Sequence, residues 1–276
     1  MVVFIAVLIA SVSNYFKAES FPPIEKTLRF TYTLKNISNE LVENADFVAM
    51  IPAEIKGSQH IVSISTTEKY SLENKDLLSQ SMKFQIKNIP PFSSKVISIT
   101  IVLGMSEKPK NEIHNKNEYL KAEKYIEKDS LTVKNVSALL DKTTKNSYAK
   151  STFEWLINNV KDAGYVSDNK GAQYAIEKLL GDCTEYMYAF VALERANDTP
   201  ARAIAGFFMP QPAGILNASD YHNWAEFYDA GKWKLADPQK RIFDQQYQNY
   251  IVVRFLSGES SANRFLITDN RLTVSL

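Results

Sequence analysis

The sequence predicts an α+β protein: a small all-β sandwich, then a core in which a helix bearing a cysteine packs on an antiparallel sheet. Three observations predict it. Residues 22–105 hold short alternating strands separated by turn residues. Residues 118–180 change to a helical pattern. The single cysteine, Cys183, then opens a further helix, and His222 and Asp237 follow on two successive predicted strands.

The elements justify themselves in order. Residues 2–12 are an apolar run of signal-peptide length, too short to span the ~30 Å of a bilayer core. Ala18-Glu19-Ser20 offers small residues for cleavage after Ser20, although no Lys or Arg precedes the run. We read residues 1–20 as a signal peptide, with an uncleaved N-terminal anchor as the alternative. That places the protein in a secreted, periplasmic or cell-surface location. Residues 27–34 alternate in hydrophobicity, and 45–52, 83–86 and 96–102 read as further strands. Several such strands suggest a sandwich over 21–108. It serves as a spacer, or as a docking module for a partner or substrate. Pro90-Pro91 marks a turn, and the polar stretch 106–117 a linker. Residues 109–276 form the second domain. Its helices are predicted over a lysine-rich segment at 119–127, over 147–160 and over 172–180. C-terminal strands at 250–255 and 264–267 extend the sheet, and 272–276 form an edge.

The chemistry concentrates after residue 180. Tyr186, Ala189, Phe190 and Leu193 recur at helical spacing and mark one buried face. Asp182 and Glu185 have the spacing of a capping box, which makes Asp182 the N-cap and Cys183 the first helical residue. Free amides and the positive end of the helix dipole there favour a thiolate and could hold an oxyanion. His222, Trp224, Glu226 and Tyr228 share one face of a strand. A tight hairpin centred between 229 and 230 sets His222 opposite Asp237, with Cβ atoms about 4.5–5.5 Å apart. A bulge at Gly231 would shift that register by one residue. A cysteine, a histidine and an orienting carboxylate are the parts of a nucleophile with an oriented base.

Gly181-Asp182-Cys183-Thr184-Glu185-Tyr186, Ala192-Leu193-Glu194-Arg195 and the run Thr199-Pro200-Ala201-Arg202-Ala203-Ile204-Ala205-Gly206 resemble the core of the transglutaminase-like superfamily. His222-Asn223-Trp224-Ala225-Glu226 and Trp233-Lys234-Leu235-Ala236-Asp237-Pro238 complete its motifs in order, and Phe153-Glu154-Trp155-Leu156 resembles its entry helix. The resemblance spans roughly residues 118–245. Ala196-Asn197-Asp198-Thr199 departs from it, because the family carries a more apolar, Gly-containing turn there. The resemblance implies a papain-like fold for 109–276. It also implies that Cys183 forms a thioester with a carboxamide or peptide carbonyl, that His222 is the base and acid, and that Asp237 orients it. Water or an amine resolves the thioester, so hydrolase (protease, amidase) and acyltransferase readings stay open. The oxyanion hole draws on the Cys183 amide, with Tyr165 and Gln173 as candidates for its second donor. N-terminal sandwiches accompany such cores in exported proteins.

Each residue also has a plainer role. A lone cysteine is often a small buried hydrophobe, a histidine at a strand start is usually a polar rim residue, and Asp237 before Pro238 could serve a turn. Arg202 reads as structural, paired with Glu185 or Glu226, and Trp224 and Trp233 read as core. The alternative function is therefore a catalytically silent transglutaminase-like binding or scaffold module. Composition narrows the field. At 276 residues with 45% hydrophobic content the chain supports about two domains. Its 32 basic and 31 acidic residues are interspersed, which argues against nucleic acid and polybasic membrane contact. One cysteine cannot form an internal disulfide, and the Cys and His spacing fits no metal site. The expected partner is a protein or peptide substrate, with no cofactor.

Overall fold

The computed structural model describes residues 24–76, 79–107, 113, 115–165, 168–257 and 264–276; the signal-peptide reading of 1–20 lies outside them. In chain order the strands of the N-terminal region are β1 (Ile24–Asn36), β2 (Val42–Ile51), β3 (Gln59–Thr66), β4 (Tyr70–Asp76), β5 (Ser79–Ile89) and β6 (Ser94–Met105). Then follow α1 (Leu131–Leu139), α2 (Lys145–Asn159), β7 (Lys161–Asp162), α3 (Gly171–Lys178), β8 (Leu180–Gly181) and α4 (Cys183–Ala196). The remaining strands are β9 (Ala201–Phe208), β10 (Ala213–Ile215), β11 (Tyr221–Asp229), β12 (Lys232–Asp237), β13 (Ile242–Phe243), β14 (Tyr250–Leu256), β15 (Phe265–Ile267) and β16 (Leu272–Ser275).

Alternation builds the sandwich. Along β1 the even-numbered residues from Lys26 to Asn36 are buried and the odd ones face outward, as a strand of period two with one wet face requires. One sheet has the order β10-β1-β6-β3, with β16 also on β1, and the other runs β13-β12-β11-β9-β14-β5-β2-β15. Leu28, Phe30 and Ile99 of the first sheet share a core with Phe47 and Phe84 of the second, and each such side chain contributes about 1.5–3 kcal/mol on burial. Tyr32 meets Phe47 edge-on across the gap, with ring centroids 5.0 Å apart. The second sheet passes without a break from β5 into β14 and β9, so the strands after residue 200 are continuous with those before 90. Later segments also return to the sandwich: β10 and β16 pair with β1, and β15 with β2.

Lys26 ties the two regions together. Although it lies on the buried side of β1, its Nζ donates to the carbonyls of Met209 (2.7 Å), Pro210 (3.0 Å) and Gln211 (3.0 Å). Those carbonyls belong to the segment between β9 and β10 that leads on to His222. Lys26→Met keeps the apolar stem and removes the donor, leaving buried acceptors unpaired. Urea denaturation is expected to show a loss of about 2–4 kcal/mol; a loss under 1 kcal/mol would mean that water replaces the ammonium.

The second region carries the expected helices at 147–160 and 172–180, as α2 and α3. The lysine-rich segment differs: a short 3₁₀ turn at Lys116–Leu120 is followed by a bridge between Glu123 and Ile126, and the true helix α1 begins only at Leu131, capped by Ser130. Helix α4 differs too. Instead of one buried face, every residue from Glu185 to Arg195 is buried, because α1, α2 and α3 pack on one side and the sheet on the other. At its end Asp198 takes φ +53°, the left-handed position that a glycine usually fills. This accounts for the departure at residues 196–199.

The β11–β12 hairpin turns on Ala230 (φ +49°) and Gly231 (φ +81°), closed by the pair Asp229 and Lys232. Two consecutive positive φ values define a type I′ turn, matched to strand twist but unfavourable for alanine. Ala230→Asn is expected to raise stability by about 0.5–1 kcal/mol, read as a higher urea midpoint; an unmoved midpoint would show that the turn stores no strain.

Candidate active site

The site starts from the cap of α4. Asp182 Oδ1 accepts from the Thr184 amide at 2.8 Å, and Glu185 Oε2 accepts from the Asp182 amide at 3.2 Å. The predicted capping box is present in both directions. It fixes Cys183 as the first helical residue, half-buried. The backbone amide of Asn223, the residue after His222, and the Thr184 hydroxyl lie beside the thiol and favour its ionised form. Asn223 also donates its side-chain amide to Thr184 Oγ1 at 2.9 Å. The start of β11 is thereby stitched to the start of α4.

His222 and Asp237 meet, but not across the predicted register. The ladder pairs Ala225 with Ala236 and Glu226 with Leu235; one further step sets Asp237 beside Trp224 rather than His222. The hairpin centre lies one residue later than the sequence suggested, because the loop is Ala230-Gly231. That moves each partner by two and leaves the face unchanged. His222 therefore reaches Asp237 diagonally, with Nε2 2.6 Å from Oδ2. Opposite His222 on β9 is Gly206, where a Cβ would meet the Ile251 carbonyl at 1.9 Å and Trp224 at 2.8 Å. Only glycine lets the strands close there.

Asp237 is 1% exposed and fully engaged. Oδ2 also accepts from the Tyr250 hydroxyl at 2.7 Å, and Oδ1 from the Lys240 amide at 3.1 Å. Burial first, then Asp237, holds the Tyr250 hydroxyl far above its ordinary pKa, so it remains a donor. A carboxylate can only accept from the imidazole, so His222 carries its hydrogen on Nε2 and Nδ1 is left as the basic nitrogen. The ring stacks on Trp224, with centroids 6.4 Å apart at 19°.

The thiol departs from expectation. Burial, then the Asp182 carboxylate, pushes Cys183 up to about 11; the Asn223 amide and the Thr184 hydroxyl oppose this, and Asp237 adds to it. The helix start does not yield a thiolate chiefly because the thiol is buried, and also because the cap that occupies the Thr184 amide sets the Asp182 carboxylate beside it. Of the suggested oxyanion donors, Tyr165 is 90% exposed and Gln173 spends its amide on Glu177 at 2.7 Å. Arg202 pairs with Glu226 (Nε to Oε2, 2.8 Å), sandwiched between Trp233 and Phe255; it is structural, as read from the sequence. Among the described residues no cluster of His, Cys, Asp or Glu is arranged to hold a metal, and no helix is long and apolar enough to cross a membrane.

Residues 133–238 match the transglutaminase-like superfamily model. This segment is similar to transglutaminase-like domains. It runs from α1 to just past β12 and contains Cys183, His222 and Asp237. The chain is 30% identical over 183 residues to an uncharacterized protein of Haemophilus influenzae, an alignment covering 53% of this chain and 48% of that protein. The chain thus spans about half the length of that curated relative. A candidate cysteine protease from Cytophaga hutchinsonii superposes with a TM-score of 0.62 at 16% identity, over 92% of this chain and 90% of that one. The fold it shares with this chain therefore includes the strand-rich N-terminal region as well as the segment that the family model matches. The periplasmic domain of TgpA from Pseudomonas aeruginosa is more distant, with a TM-score of 0.40 at 11% identity, over 77% of this chain and 90% of that one. Tyr250, which holds Asp237, lies on β14 beyond the matched segment, and no local sequence signal singles it out.

Proposed function

We propose that this chain is an exported, cysteine-dependent acyl-transfer enzyme that acts on amide or peptide bonds through a thioester. The observation that carries the reading is the Cys183 thiol beside the amide of the residue after His222, a histidine whose imidazole is held by Asp237. The name of the Cytophaga hutchinsonii neighbour, a candidate cysteine protease, adds peptide bonds as the substrate class. In the first half-reaction His222 Nδ1 takes the thiol proton as Sγ attacks the carbonyl carbon. The new S–C bond forms, the C–N bond breaks, and the proton passes to the leaving amine. Water or an amine then attacks the thioester carbon and gives a proton to Nδ1; the new bond to carbon forms, the C–S bond breaks, and the proton passes from Nδ1 to Sγ to restore the thiol. A thiol with a pKa near 11 makes this base obligatory, since little thiolate exists at neutral pH without it.

That same raised thiol supports the second reading, a silent binding or scaffold module. Labelling with a peptidyl acyloxymethyl ketone separates the two. The enzyme reading expects stoichiometric modification at neutral pH, none in Cys183→Ala, and at least a 100-fold slower rate in His222→Ala, within the range for general-base catalysis. Equal rates in wild type and His222→Ala would leave the scaffold reading standing. Iodoacetamide alkylation of His222→Ala is expected to climb with pH towards about 11; a midpoint near that of a free thiol, ~8.5, would show a solvated cysteine.

A further inference from the structure

Arg254 on β14 is a buried cation with no counter-charge among the described residues. It is 7% exposed, and its Nε and one terminal nitrogen (NH2) make no hydrogen bond. Other buried cations in the same region are matched: Arg195 with Glu123, Arg202 with Glu226, Lys234 with Asp229. Arg254 has no such carboxylate among the described residues. A guanidinium removed from water without a partner is strongly unfavourable, so its complement belongs to something that binds.

Strand register places it. Arg254 lies opposite Ala205 of β9, and Ala205 opposite Asn223 of β11. Directly opposed residues point to the same face, and two strand spacings are about 9.6 Å. That face lies under the start of α4, because Asn223 bonds there to Thr184 and its amide lies beside the Cys183 thiol. In the ladder, the residue between Arg254 and Asn223 is Ala205, whose side chain is a methyl group. The guanidinium lies beside the Tyr221 hydroxyl, which also feels the Cys183 thiol. Arg254 and the nucleophile therefore flank one tyrosine on one face of the sheet.

We propose that Arg254, with Tyr221, anchors a carboxylate of the substrate whose acyl group is transferred to Cys183. This deepens the acyl-transfer reading and rests on it. A planar, always-charged fork suits a carboxylate in two-point contact. The carboxylate is a peptide's C-terminus or an acidic side chain, and the same experiment distinguishes them.

The test uses iodoacetyl probes on the full chain, in which Sγ displaces iodide, the S–C bond forms and the thiol proton goes to solvent. N-iodoacetylglycine and N-iodoacetylglycylglycine are each compared with their C-terminal amides, and N-iodoacetylglutamic acid α-amide with N-iodoacetylglutamine amide. We expect at least one carboxylate probe to alkylate wild-type Cys183 threefold or more faster than its amide. The successful probe identifies a terminal or a side-chain carboxylate. Arg254→Met is expected to abolish the preference, Arg254→Lys to keep part of it, and the neutral probes to report an intact site by unchanged rates. Should Arg254→Met fail to fold, the wild-type rates decide, together with slowing of iodoacetamide alkylation by N-acetylglycylglycine but not by its amide. Preferences under threefold for every pair in the wild type, or a preference untouched by Arg254→Met, overturn the proposal. A carboxylate preference with no turnover of any amide would instead sink the enzyme reading and leave the anchor.

Discussion

Asp237→Asn is expected to slow acyl transfer to Cys183 by about 10⁴-fold while leaving the fold in place. The size follows from a tautomer, not from lost packing. Asp237 Oδ2 now accepts from His222 Nε2 at 2.6 Å and from Tyr250 at 2.7 Å, while Oδ1 accepts from the Lys240 amide. In the amide the oxygen stays on the Lys240 side, where it is needed, and the NH₂ faces the imidazole. It then donates to Nε2, the hydrogen moves to Nδ1, and the nitrogen that should take the thiol proton already carries one. With the thiol at about 11, no reserve of thiolate compensates. The measurement is the rate of peptidyl acyloxymethyl ketone labelling, alongside near-ultraviolet circular dichroism as a check on folding. A rate within tenfold of wild type in a folded protein would remove Asp237 from the mechanism. Tyr250→Phe provides a comparison, since it removes one donor without changing the tautomer and belongs nearer wild type.

The residues explain which of these features could be read in advance. The cap of α4 was legible because Asp182 and Glu185 lie within one turn and act locally. The pairing of His222 with Asp237 was legible in parity, because strand alternation depends only on counting by two. Its register was not, since nothing in Ala230 announces a left-handed conformation. The burial of α4 on all sides was hidden because its covers, α1 to α3, come earlier in the chain, α1 beginning 52 residues before it (183 − 131), and their packing is tertiary. The raised thiol was missed for a related reason: the helix dipole was counted, while the burial and the Asp182 carboxylate that oppose it were not. Tyr250 and Arg254 reach the site from a strand that joins the sheet only after the whole β11–β13 meander has folded back. Lys26 and β10 couple the sandwich to the His222 strand from over 180 residues away, a contact no local pattern reports.

Glu194→Gln carries the other large expectation, an alkaline gain in stability. Glu194 lies within α4, wholly buried, and neither carboxyl oxygen makes a hydrogen bond; Thr152 Oγ1 and Thr199 Oγ1 are likewise buried and unpaired. Burial pushes its carboxyl up to about 8 from an ordinary 4.5, with Thr152 and Lys145 pulling slightly the other way. A folded pKa above the unfolded one means that the native state holds the proton longer. The stability this contributes is complete below pH 4.5, declines as the unfolded chain ionises, and is gone above pH 8. Each pH unit in that window costs about 1.4 kcal/mol, so the whole decline is on the order of 4–5 kcal/mol. Glutamine has the shape of the protonated acid and no proton to lose, so its stability lacks this slope. Urea unfolding at pH 5, 7 and 9 is expected to give nearly equal stabilities for the two proteins at pH 5. The variant's advantage then widens to several kcal/mol by pH 9. Parallel curves across the three pH values would show that Glu194 ionises in the native state, with water reaching a position that the packing of α1 and α2 on α4 closes off.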